Sequence, residues 1–164
     1  MSGIMTVEGP RCSSALGVTL PHEHLLVDWV GAEKTSKDRY NAGEVFEFVL
    51  PYLKQVRELG CRSLVECTSA YLGRDVEVLR RLAKASGVQI LTNTGYYGSA
   101  DDRFVPAHAY TKTVEQLAQR WIREWEQGID GTDVRPGFIK TGLSQIGQRL
   151  VPALGAPRLL PLLV

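Results

Sequence analysis

The hydrophobic period of this chain switches repeatedly between two residues and between three and four, and that switching constrains the fold more than any single residue does. Four short apolar runs, "LGVTLPH", "RSLVECTSA", "VQILTNTGYYG" and "PGFIKTG", read as strands, and three longer segments between them read as helices. The first helix is expected over "NAGEVFEFVLPYLKQVRELG". There Val45, Phe48, Val49, Tyr52, Leu53, Val56 and Leu59 recur at helical spacing and predict one apolar stripe. Asn41 with Glu44 predicts a capping box, Gly60 a left-handed end, and Pro51 a kink, because proline removes a backbone donor and crowds the preceding turn. In "RDVEVLRRLAKASG", Val76, Leu79, Leu82 and Ala83 face inward and Gly87 closes the helix. In "TVEQLAQRWIREWEQG", Thr113 and Gln116 predict a second capping box, with Val114, Leu117, Trp121, Ile122 and Trp125 on one face.

Strands alternating with helices read as βα units joined by right-handed crossovers, which leaves a doubly wound sheet or a (β/α)8 TIM barrel. The glycine fingerprint of a dinucleotide fold is missing after the first strand, which favours the barrel. At 164 residues the chain is long enough for one domain with a real core. Its 23% charged residues and net charge of +1 are interspersed, so neither nucleic acid nor an anionic membrane is an expected partner. Cys12, Cys61 and Cys67 are odd in number and lack metal-type spacing, and "MSGIMTVEGPRC" has no export signal. A cytoplasmic protein acting on a small molecule is the expectation.

In such barrels the reactive groups lie at the C-terminal ends of the strands. The first strand ends in "HEH", and side chains two apart on a strand share a side, so His22 and His24 can aim at one ion. An H-x-H pair alone more often describes two histidines that merely sit at a strand end. The second strand ends at Glu66 and Thr68, the third at Asn93, Gly95 and Tyr97, the fourth at Lys140. Glu66 reads as a metal ligand, as a partner behind an imidazole, or as a solvated carboxylate. Tyr96 and Tyr97 read either as packing aromatics or as pocket residues. Lys140 reads as a surface lysine or, within an otherwise uncharged strand, as a buried amine held neutral. A neutral amine can take up carbon dioxide to become a carbamate, an anionic oxygen ligand.

The stretches "GVTLPHEHLLVD", "LVECTSAYLGRD", "ILTNTGYYG" and "GFIKTG", in this order over about residues 5–142, resemble the N-terminal half of the phosphotriesterase family of the amidohydrolase superfamily. The resemblance implies a TIM barrel, here about its first four βα units, with two divalent metal ions per complete site, zinc or a similar ion. It implies His22 and His24 as the first-strand metal pair, Lys140 as an N-carboxylated lysine bridging both ions, and Tyr97 as a pocket tyrosine of lactonase-like members. Glu66 receives no settled role from it and stays a candidate ligand. The implied reaction is hydrolysis of a small-molecule ester, whether lactone, carboxylic ester or phosphotriester, by a metal-bridging hydroxide.

Residues 1–142 therefore read as half of a hydrolase barrel, and 143–164 as an atypical apolar tail. No Asp or Glu follows Asp133, and Pro152, Pro157 and Pro161 interrupt the leucine-rich run, as a shifted frame or truncated gene would produce. The two further histidines and the aspartate of the family's metal site have no counterpart up to 142, since His108 falls before the third helix. Three function classes follow. They are a metal-dependent hydrolase, a catalytically inactive half barrel that binds metal weakly or self-associates through its open edge, and a cupin-like H-x-H site. Cupins are all-β, and the helical patterns contradict that class.

Overall fold

The computed structural model describes residues 3–142, so the reading of 143–164 as a tail lies outside the described residues. A hairpin of β1 (Ile4–Thr6) and β2 (Gly9–Arg11), which the hydrophobic pattern did not announce, precedes the βα units. Its turn ties Val7, 1% exposed, to the sheet through a 2.9 Å bond from the Val7 amide to the Ile90 carbonyl. The units then run β3 (Val18–Glu23), α1 (Ala42–Glu58), β4 (Cys61–Glu66), α2 (Val76–Ser86), β5 (Gln89–Leu91), β6 (Asn93–Tyr96), α3 (His108–Thr111), α4 (Val114–Gln127) and β7 (Phe138–Thr141).

All pairings among β3 to β7 are parallel. The expected third strand is two strands: β5 continues the ladder of β4, and β6 pairs with β7. Thr92 lies between them, and its carbonyl accepts from the Gly137 amide at 2.8 Å, so the fourth strand takes over where the second leaves off. Parallel strands in sequence order, with helices between β3 and β4, β4 and β5, and β6 and β7, make the partial TIM barrel that the alternation predicts.

One core lies between β4, β5 and the helices α1 and α2, where Leu64, Ile90, Leu79 and Leu82 are almost fully buried. Each such side chain contributes about 1.5–3 kcal/mol of burial. Asp75 starts α2 by accepting from the amides of Glu77 and Val78 at 3.1 and 3.2 Å, and Gly87 ends it in the left-handed region. A second core packs α4 against Tyr96, with Trp121 fully buried, and the Thr113–Gln116 capping box is present.

Helix α1 departs from its expectation in two respects. Asn41 caps it by accepting from the Gly43 and Glu44 amides at 2.8 and 3.2 Å, but the cap is one-sided. Pro51 stands inside the helix on its exposed side, as does Glu47, whose carbonyl water can satisfy where proline leaves it unpaired. The expected stripe is also split. Val49 and Leu53 are buried, with Ala42, Val45, Phe46 and Leu50 beside them, while Phe48, Tyr52 and Leu59 are 70, 56 and 88% exposed. The apolar arc of α1 is wider than one face, and the sheet covers only one side of it.

Candidate functional site

The ends of β3, β4, β6 and β7 converge on one rim. Between Leu20, opposite Leu64, and Glu23, opposite Glu66, β3 advances three residues while β4 advances two. This bulge interrupts strict alternation, so counting by twos from Leu20 no longer tells which side His22 and His24 take. The two rings do share a side, with centroids 5.3 Å apart and planes tilted by 57°. Two imidazoles on one tetrahedral ion, with metal–nitrogen bonds of about 2.1 Å, have centroids about 5 Å apart. The spacing of the two rings is compatible with that distance.

Electrostatics agree with that fit. Partial burial, then the nearby His22 and Lys140, hold His24 below the ordinary histidine value, with Glu23 opposing, and so favour the neutral imidazole that a metal needs. Lys140 contributes to the field at His24 although β7 stands four strands on from β3 in sequence order. Lys140 is half-buried, not the enclosed amine expected of an uncharged strand, because β7 has a described neighbour on one side only, β6. Among the described residues no group of three or more His, Cys, Asp or Glu could hold a metal ion, and His22 and His24 stand as a pair.

Glu66 is not with them as a third ligand. It is 1% exposed and its carboxylate is taken up by hydrogen bonds. The Thr68 hydroxyl donates to Oε1 in a very short contact, the Thr68 amide donates to Oε2 at 3.1 Å, and the Leu25 amide donates to Oε1 at 3.4 Å. Burial pushes this carboxyl up to about 7, against the pull of those bonds. Of the three readings open at the level of sequence, the structure matches a partner behind an imidazole, with Thr68 between them: His24 Nδ1 lies 2.9 Å from the Thr68 hydroxyl oxygen.

Tyr97 stands just past β6, half-buried, bridged to Phe104 with ring centroids 5.9 Å apart. Tyr96 points into the outer layer and meets His108 Nε2 at 2.8 Å, which occupies the third histidine of the chain. Two contributors to the rim carried no metal-type signal. Asn93 donates its side-chain amide to the carbonyls of Glu66 and Thr68, both at 3.0 Å, holding the end of β4 where regular pairing stops. Arg74, from "LGRD", has a side chain 1% exposed; it donates to the Asn93 carbonyl at 2.6 Å and to Glu124 at 3.1 Å. A buried arginine among short polar residues was the available clue.

The sequence pattern of the Phosphotriesterase family matches residues 2–152. The "Phosphotriesterase homology protein" of Escherichia coli is 34% identical over 123 residues, 75% of this chain and 40% of that protein. The "Aryldialkylphosphatase" of Saccharolobus solfataricus is 29% identical over 135 residues, 82% of this chain and 42% of that protein. Among solved structures, a resiniferatoxin-binding protein from Rhodobacter sphaeroides superposes with a TM-score of 0.76 at 29% identity, covering 93% of this chain and 51% of that one. The chain thus spans about half the length of the relatives it matches, or somewhat less. With the family pattern running through nearly the whole described sequence and the strand-end residues on one rim, this chain belongs to the phosphotriesterase family.

Proposed function

We propose that this chain carries the N-terminal half of a divalent-metal hydrolase site, zinc being the metal best suited to its ligands, that acts on an ester bond of a small molecule. The observation that carries the reading is the His22–His24 pair, two rings 5.3 Å apart on one side of a strand end with the neutral form of His24 favoured. His22 and His24 would hold the ion through their ring nitrogens. Lys140 would supply a further ligand: addition of its amine to carbon dioxide, forming an N–C bond and releasing one proton, would leave an anionic carbamate at the β7 end. When bound, the metal lowers the pKa of water and polarises the oxygen under attack. Tyr97, half-buried and backed by the buried Phe104, borders the rim and offers aromatic surface to the substrate. The name of the aryldialkylphosphatase relative supports a phosphotriester, with lactones and carboxylic esters in the same reaction class.

The incomplete ligand set favours a second feature of the reading, that the chain by itself binds metal weakly and does not turn over substrate. Metal content after dialysis against zinc, together with a panel of an aryl phosphotriester, an aryl ester and a lactone, tests both features. The expected result is at most one ion per chain, lost in His22→Ala and His24→Ala, with no hydrolysis above the buffer rate. Zinc uptake that those substitutions leave unchanged would overturn the assignment of the pair.

A further inference from the structure

We infer that Glu66 and Thr68 form a positioning relay that holds His24 with its Nδ1 against the Thr68 hydroxyl, so that Nε2 is the nitrogen offered to a ligand. The argument is one of counting donors. A threonine hydroxyl has one hydrogen, and the very short contact to Glu66 Oε1 takes it. With Glu66 ionised, as at pH 8, the Thr68 oxygen can then only accept, and the atom facing it at 2.9 Å is His24 Nδ1, which carries the hydrogen. A neutral His24 protonated on Nδ1 keeps its lone pair on Nε2. Glu66 is fixed in turn, since the Leu25 amide, one residue past His24, and the Thr68 amide both donate to its carboxylate. Thr68 and Glu66 are at most 1% exposed, so neither side chain has water to turn to. Two strand ends are thereby locked to each other through one carboxylate, and the ring orientation is set before any ion arrives. Neither residue touches the space where an ion would sit; both act through His24.

The metal-affinity part of this inference rests on the function proposed above, but the tautomer part does not, and the experiment separates them. Long-range 15N correlations of the histidine rings in the metal-free chain at pH 8 read the tautomer directly. The expected result is Nδ1–H for His24, lost to an Nε2–H mixture in Thr68→Val and retained in Thr68→Ser. Zinc affinity, measured by competition with a chelating dye, is expected to fall about 10–100-fold in Thr68→Val and to recover in Thr68→Ser. An Nε2–H tautomer in the unsubstituted chain, or a tautomer unmoved by Thr68→Val, overturns the relay. A lost tautomer with unchanged zinc affinity overturns its role in metal positioning. Absence of any zinc binding by the unsubstituted chain defeats the proposed function while the tautomer still decides the relay.

Discussion

Gly95 lies directly opposite Lys140 in the β6–β7 ladder, with φ of +108°, and a Cβ on Gly95 would run into the Lys140 carbonyl oxygen. The obstacle is backbone, which cannot rotate away as a side chain can. The glycine of "NTGYYG" is thus part of what seats Lys140 at its strand end.

Gly95→Ala is therefore expected to separate β6 from β7 or strain the pair, costing more than about 2 kcal/mol in a denaturant titration. The left-handed φ and the steric contact act together, and neither relaxes without moving Lys140. An unfolding midpoint within experimental error of the parent would show that the ladder tolerates a side chain here.

Glu66 makes stability depend on pH. Its folded value of about 7 lies above the 4.5 of an unperturbed glutamate, so between these values the folded chain holds a proton that the unfolded chain releases. The contribution is fully present below the unfolded value and is lost as pH rises through 7, by about 3 kcal/mol. Denaturation of the parent and of Glu66→Gln from pH 4 to 8 isolates it, because the difference in their stabilities should change with this sign. Parallel curves would mean that Glu66 titrates alike in both states.

Arg74 joins α4 to the rim through Glu124 and the Asn93 carbonyl, and its side chain is 1% exposed. Arg74→Ala strands a carboxylate and a buried carbonyl, so a loss of about 3 kcal/mol is expected. Arg74→Met with Glu124→Leu removes both charges together and should cost less than the sum of the single changes. Strict additivity in that cycle would refute a direct coupling.

Phe48, 70% exposed, borders an apolar hollow with Leu25, Leu26, Val27 and Val45, immediately past the histidine pair. With Tyr52 and Leu59 also uncovered, and β3 paired on one side only among the described residues, we propose that copies of this chain associate through that face. Sedimentation velocity should show mass rising with concentration, and Phe48→Glu with Tyr52→Lys should reduce it while leaving the unfolding midpoint nearly unchanged. A concentration-independent monomer would dismiss the proposal.

Local chemistry made much of this molecule legible before any coordinates. Thr113 caps α4 because its side-chain oxygen reaches the amide three residues on, and Gly87 ends α2 because it lacks the Cβ that disfavours a left-handed residue. The stripe of Leu79, Leu82 and Ala83 follows from 3.6 residues per turn. The order of the four strand-end motifs was enough to carry the family resemblance.

What local pattern could not decide was everything that depends on a neighbour distant in the chain. Periodicity says which residues of α1 share a face, but only the sheet selects Val49 and Leu53 over Phe48 and Tyr52 for burial. Alternation says that His22 and His24 point together, but the bulge against β4 sets the direction. The composition of "VECTSA" leaves Glu66 free to be a ligand. Its place behind Thr68 and His24 exists only because β3 and β4, forty residues apart in sequence, are held in register, which puts the amide of Leu25 and the hydroxyl of Thr68 within bonding distance of one buried carboxylate.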